Sequence, residues 1–320
     1  VARLRLTQLD RSGSLCIVMA ETDQIAEITP PKSVLPAWLR AMRPKQWVKN
    51  VLVLAAPVAA GQLFAPSVLI PSIWAFFAFS LVSASIYLIN DIRDVDADRL
   101  HPKKRFRPIA AGELSPTVAW VMAAVAVAAA LTIGFWVAPL LGSVLAFYWV
   151  LQVCYSFFLK NQPIIDLAMV AAGFLLRAVA GGVASGLALS QWFLLVASFG
   201  SLFMVAGKRY SELKELGNEA GTRASLERYT KSYLREVWSV SIAIVIMSYS
   251  LWAFELPGPQ PWGVSWSAIS IAPFTLALLR YAMKVDQGKA GEPEDVVLSD
   301  RTLQVFAVLW TIPMAVAVFG

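Results

Sequence analysis

Apolar residues run in long blocks from near residue 50 to the end of this chain, interrupted by short polar stretches. Blocks approaching the roughly 20 residues that a helix needs to cross a hydrocarbon core predict membrane spans. About nine are read, over 50–64, 69–90, 117–138, 140–158, 163–184, 190–207, 236–256, 264–283 and 303–319. The first is short enough to be tilted or partly re-entrant. Pro139, Pro163, Pro257, Pro259 and Pro261 fall at or between block ends, where a missing backbone N–H does least harm. Gly181-Gly182 in the fifth block would let another helix approach closely. The expected fold is all-α, a polytopic membrane bundle of about nine transmembrane helices over residues 38–320.

Composition agrees with that pattern. Apolar residues make up 58% of the chain and charged ones 15%, against roughly one quarter charged in soluble domains, so a bilayer is the expected solvent. Residues 1–37 have no sustained apolar period and mix Arg3, Arg5 and Arg11 with Glu21, Asp23 and Glu27, so a disordered tail is expected there. The apolar run Leu15 to Ala20 is too short for a signal-peptide core, and a natural start at Met19 is one hypothesis for a stretch that turns polar there.

Charge placement tests the span map independently, because Lys and Arg near short loops stay on the cytoplasmic side. With the N-terminus inside, the loops after even-numbered spans carry Arg93, Arg99, Lys103 to Arg107, Lys160, Lys208 to Arg235, and Lys284, Lys289 and Arg301. The outward loops carry no Lys or Arg. A multi-pass plasma-membrane protein with its chemistry facing the cytoplasm is expected, and the net charge of +6 reads as topology, with no role for nucleic acid. Cys16 and Cys154 lack metal-ligand spacing, and a single histidine, His101, excludes His-pair metal sites and argues against a Ser-His-Asp arrangement.

The strongest chemical signal stands where the second span ends, at Asn90-Asp91-Ile92-Arg93-Asp94-Val95-Asp96-Ala97-Asp98. On a continuing helix the spacing of 91, 94 and 98 puts three carboxylates on one face, beside Asn90, while Asp96 points elsewhere. Like charges so placed need a cation, and hard oxygen ligands suit Mg²⁺, which bridges one or two carboxylates to substrate phosphates. Asp91, Asp94 and Asp98 are therefore the expected metal ligands. Lys103 to Arg107 follow closely, as a diphosphate would require of charge-assisted donors. The basic-aromatic segment Arg43 to Asn50 fits either membrane anchoring or a substrate role.

At these residues the chain resembles the UbiA superfamily of intramembrane prenyltransferases, whose motif N-D-x-x-D-x-x-x-D is followed by R-P-x-x-x-G, here Arg107 to Gly112. The resemblance covers roughly residues 38–320 and implies a bundle of nine transmembrane helices. Many members carry a second pair of carboxylates after the fourth span. The matching stretch here, Tyr155 to Asp166, keeps Asp166 alone, with Val170 where the second acid would fall. Together with Arg43 to Asn50 and Gly207 to Glu212, this is similar to the decaprenyl-phosphate phosphoribosyltransferase branch.

That resemblance implies transfer of 5-phosphoribose from phosphoribosyl pyrophosphate to a polyprenyl phosphate, with Mg²⁺ as cofactor and membrane lipid as surroundings. Asp91, Asp94, Asp98 and Asp166 are then the catalytic candidates, and Lys49, Asn90, Lys104, Arg107, Tyr155, Lys160, Arg177, Lys208 and Arg209 the substrate-binding ones. Arg177, inside the fifth span, reads equally as a cavity-lining cation or a buried structural partner, and Asp166 is placed for metal or Lys160. Residues 207–235 fit a helical lid or a salt-bridged surface helix, while Glu292 to Asp295 with Asp300 read as a solvated acidic loop in preference to a second metal site. Competing readings are an isoprenyl transferase with an aromatic acceptor and, less favoured, an ion-coupled transporter or lipid carrier. A homo-oligomer is left open.

Overall fold

Proline and small hydroxyl residues set the starts of the helices. Pro66, Pro116 and Pro139 each stand in the first turn, where an N–H has no intrahelical partner. Ser115, Thr230 and Ser265 cap helices by accepting from the N–H groups of Val118, Tyr233 and Ala268. The computed structural model describes residues 35–160, 162–216, 228–256, 263–290 and 293–319. The expected tail, up to residue 34, lies outside the described residues, as do the middle of the expected lid and part of the acidic run near 292.

All regular structure among the described residues is helical: α1 Ala37–Ala41, a 3-10 helix Pro44–Leu54 running into α2 Ala55–Ala59, α3 Pro66–Arg93, α4 Val95–Leu100, α5 Pro116–Val137, α6 Pro139–Cys154, α7 Ile165–Ala184, α8 Gln191–Leu216, α9 Lys231–Glu255, α10 Trp266–Ile269, α11 Ile271–Asp286, α12 Pro293–Ser299 and α13 Arg301–Phe319. A π-turn, Tyr155–Leu159, extends α6. Eight helical units among the described residues are long and apolar enough to cross a membrane: α3, α5, α6 with its π-turn, α7, α8, α9, α10 with α11, and α13. Large apolar side chains such as Trp136, Phe254 and Leu309 face outward, as lipid requires.

The block at 50–64 differs from expectation. Its 3-10 portion has three residues per turn, so Pro44, Trp47, Asn50 and Val53 fall on one face, and Asn50 and Val53 are fully buried. Pro57 lacks the N–H that would close an α-turn onto the Val53 carbonyl. That carbonyl instead lies over Gly181 on α7, where a Cβ would come within 1.7 Å of it. The close approach expected at Gly181-Gly182 is thus made by the 3-10 segment, and the Leu189 side chain fills the space over Gly182.

Two packed halves result. The 3-10 segment, α3, α5, α6 and α7 share a core around Val53, Phe79, Leu141, Leu145 and Tyr148. Helices α8, α9, α11 and α13, with Leu167 of α7, share another around Phe203, Leu234, Trp238 and Val285. Helix α8 runs on past its expected end at 207, so Lys208 to Lys214 are a helical extension and not a separate lid element.

Candidate active site

Helix α3 stops at Arg93, yet the backbone hardly breaks: the Asp94 N–H donates to the Asn90 carbonyl at 2.9 Å and the Asp98 N–H to Asp94 at 2.8 Å. The facial spacing therefore survives, but the side chains divide. Asp91 and Asp98 are buried and share Arg107, whose Nη1 lies 3.1 Å from Asp91 Oδ1 and 2.6 Å from Asp98 Oδ2. Asp94, partly exposed, turns to Lys160 at 3.1 Å. Asp96 points outward and pairs with Arg99 on the surface. Asn90 is half-buried beside this group.

Arg107 is placed by the turn that follows it. The Ala111 N–H donates to the Arg107 carbonyl at 2.8 Å, and Gly112 takes φ +77°, a conformation open to glycine, so the chain reverses directly after the arginine. Arg43 was not among the expected site residues, yet it pairs with Asp91 and lies over the Tyr87 ring. Its φ of 53° is left-handed, and Pro44 behind it disfavours the α conformation. The sequence marks this arginine only as part of the basic-aromatic segment Arg43 to Asn50, which fits membrane anchoring equally well.

Across the site, Tyr155 opens the π-turn and donates its hydroxyl to Asp166 Oδ1. Arg209 Nε donates to Asp166 Oδ2 at 3.2 Å and its Nη1 to Glu212 at 3.0 Å. Asp166 and Arg209 are both buried. The expected contact between Lys160 and Asp166 is not made: the π-turn carries Lys160 to Asp94, and the two Asp166 oxygens meet Tyr155 and Arg209. Ile164, at φ 67°, donates its N–H to the Tyr229 hydroxyl at 2.6 Å, and burial pushes that phenol above its usual range.

Arg177 stands apart from the acids. It is 6% exposed and donates to Asn50 Oδ1, the Gly173 carbonyl, Ser83 and Tyr148. Lys49 lies on another face of the 3-10 segment and lines a cavity of ≈ 800 Å³. Its other lining residues are almost all apolar, from Leu52 and Val58 to Phe193, Trp252, Trp310 and Phe319, and Lys49 is the one charged group among them. Lys208 is half-buried on α8, and Lys104 is exposed with its N–H donated to His101.

The UbiA prenyltransferase family model matches residues 51–308. The chain belongs to the UbiA prenyltransferase family. Relatives of this UbiA protein include the decaprenyl-phosphate phosphoribosyltransferase of Corynebacterium glutamicum, 50% identical over 295 residues that span 91% of this chain and 89% of that protein. The decaprenyl-phosphate phosphoribosyltransferase of Mycobacterium tuberculosis is 49% identical over 298 residues, covering 91% and 97%. A UbiA homolog from Archaeoglobus fulgidus, solved bound to DMAPP and Mg²⁺, has the same fold, with a TM-score of 0.66 at 17% identity over 88% of this chain and 99% of its own.

Within the UbiA fold, the acids of this chain are held by its own cations. Among the described residues no group of three or more His, Cys, Asp or Glu is drawn together as a preformed metal cage. The donor chemistry nonetheless fits magnesium, which takes hard oxygens and needs only one or two carboxylates when phosphates supply the rest. Asp300 departs from the expected solvated loop. It is buried, caps α13 through the Leu303 N–H, and pairs with Arg280 and Lys284 at 2.8 Å each, tying α13 to α11.

Proposed function

We propose that this UbiA protein transfers 5-phosphoribose from phosphoribosyl pyrophosphate to a polyprenyl phosphate, decaprenyl phosphate in the first instance, releasing pyrophosphate and supplying precursor for cell-wall arabinan. The observation that carries this reading is the seam made by the 3-10 segment: Arg43 at its start reaches Asp91, while Lys49 lines an apolar cavity. The cavity would take an apolar chain, and the cations around Asp91 its anionic head. The names of the relatives at about half identity agree with it. Val170 stands one turn after Asp166 where a second acid would fall, so the carboxylate pair for a second metal is incomplete, which argues against the usual handling of an isoprenyl diphosphate.

Charge accounting then assigns the work. The C1–O bond to pyrophosphate breaks with its electron pair leaving on oxygen, and a C1–O bond to the lipid phosphate forms. The attacker is already an anion near neutral pH, so no strong general base is required, in keeping with a single histidine. Arg107 uses Nη1 for both aspartates, and its remaining N–H groups can meet phosphate oxygens while it keeps them. Arg43, Lys160 and Lys104 stand at the same end and add fixed positive charge against several phosphates. Magnesium, held by Asp91, Asp94 or Asp98 with the donor's phosphates, would supply Lewis-acid stabilisation of the leaving group.

The site faces the cytoplasm of a plasma membrane in this reading. Arg93, Lys160, Lys208, Arg235 and Lys284 gather at the helix ends that carry the acids, which is the positive-inside end. The test is a donor comparison in proteoliposomes. Label from phosphoribosyl pyrophosphate should enter polyprenyl phosphate, and incorporation only from an isoprenyl diphosphate would overturn the proposal.

A further inference from the structure

Arg177 carries a charge where charge is costly, in the interior of a membrane protein. Its four hydrogen-bond acceptors are neutral: Asn50 Oδ1 at 2.7 Å, the Gly173 carbonyl at 2.6 Å, the Tyr148 hydroxyl at 3.0 Å and Ser83 Oγ at 3.3 Å. The rings of Phe79, Tyr148 and Phe174 surround the guanidinium at 5.0, 5.1 and 5.7 Å. These contacts explain how an arginine is tolerated there. They do not explain what it is for.

Asn50 supplies the purpose. Its Oδ1 accepts from Arg177, and its Nδ2 donates to Ser80 of α3 at 2.9 Å. Three residues on, the Val53 carbonyl rests on Gly181, one turn beyond Arg177 on α7. Two successive inward positions of the 3-10 segment are thus docked on two successive turns of one helix. The segment has 11 residues, whereas 3-10 runs beyond three or four are uncommon because their hydrogen bonds are poorer. Such a winding persists where tertiary contacts hold it.

We propose that Arg177 and Asn50 are a positioning pair that keeps Pro44–Leu54 in the 3-10 winding, and so aims Arg43 at Asp91 and keeps Lys49 at the wall of the apolar cavity. The geometry sets the stakes. If the segment relaxed to an α-helix, each residue would turn about 20° less and rise about 0.5 Å less. Over the seven residues from Asn50 back to Arg43 this displaces the arginine by about 140° around the axis and about 3.5 Å along it. Arg43 would lose Asp91. Lys49, next to the anchor, would move least in itself but would no longer share a register with Arg43. The inference rests on the proposed function only for which ligands those two cations meet; the winding stands apart from it.

Hydrogen exchange and kinetics on the full chain in lipid nanodiscs test this. Asn50→Leu and Arg177→Gln should each speed exchange of the backbone amides of residues 45–54 by about tenfold or more, with α9 unchanged. Both should raise KM for polyprenyl phosphate by about tenfold while kcat changes less. The double variant should be no worse than the worse single, because the pair acts as one unit. Asn50→Asp, which keeps an acceptor toward Arg177, should retain most of the protection and the affinity. Ser80→Ala, a milder change, should move both readouts in the same direction and decides the matter if the other two fail to fold. Folded variants with unchanged exchange over 45–54 and unchanged KM would overturn the proposal. Faster exchange in the variants, when the wild-type chain itself transfers no phosphoribose to polyprenyl phosphate, supports the positioning role and counts against the proposed function instead.

Discussion

Lys160 Nζ lies 3.1 Å from Asp94 Oδ1, joining the π-turn after α6 to the break after α3. Both side chains are about 40% exposed, so the pair stabilises the fold by at most about 1 kcal/mol. Of the three acids on one face, Asp94 is also the one that Arg107 does not hold. We expect Asp94→Asn to lower kcat/KM by about 100-fold or more, as for loss of a group acting on developing charge, with little change in thermal unfolding. Parallel kinetics and melting curves check this, and a large loss of stability would make the residue structural.

The Asp166–Arg209 pair behaves differently, because its side chains are 1% and 6% exposed. Arg209→Gln leaves a buried carboxylate without its cation and should cost about 3–5 kcal/mol. Asp166→Asn combined with Arg209→Gln should recover part of that cost. Chemical denaturation of the two singles and the double in one detergent measures the coupling.

Gly181→Ala should cost about 3 kcal/mol, at the upper end for overpacking, because the group in the way is the Val53 carbonyl and not a side chain that can swing aside. Gly186→Ala makes a contrast, since nothing lies within 4 Å of a Cβ there and only its positive φ opposes the change. Thermal melting of both variants should rank Gly181→Ala as the more damaging.

Asp300 gives a pH signature. Hydrogen bonds from Arg280 first, then Lys284 and the Leu303 N–H, hold its carboxyl well below the usual carboxylate range. A depressed folded pKa contributes stability in full above the unfolded value of about 3.9, and that contribution fades as pH falls toward the folded value. The wild-type melting temperature should therefore fall below about pH 4 more steeply than that of Asp300→Asn. Equal slopes in both proteins would show that the depression is absent.

The spans were legible because hydrocarbon leaves an apolar block no alternative to helix, which is why 69–90 and 140–158 become α3 and α6 within a few residues. The block at 50–64 was not, because its winding depends on Arg177, over 120 residues away, and on Gly181. Facial spacing separated Asp96 from Asp91 and Asp98 correctly, but it could not tell that Arg107 would claim two acids and leave Asp94 to Lys160. Arg43 was hidden because its reach follows from a left-handed backbone. Asp300 looked like a solvated acid, although Arg280 and Lys284 at i and i+4 already formed a two-cation face for it.

The most direct measurement is the mass balance of one turnover by the purified chain in liposomes containing decaprenyl phosphate, supplied with phosphoribosyl pyrophosphate and magnesium. Mass spectrometry of the lipid and assay of released pyrophosphate should show one phosphoribosyl unit gained per pyrophosphate formed, with the product lost in Asp94→Asn. An unmodified lipid phosphate, together with transfer of an isoprenyl chain when an isoprenyl diphosphate replaces the sugar donor, would contradict phosphoribosyl transfer.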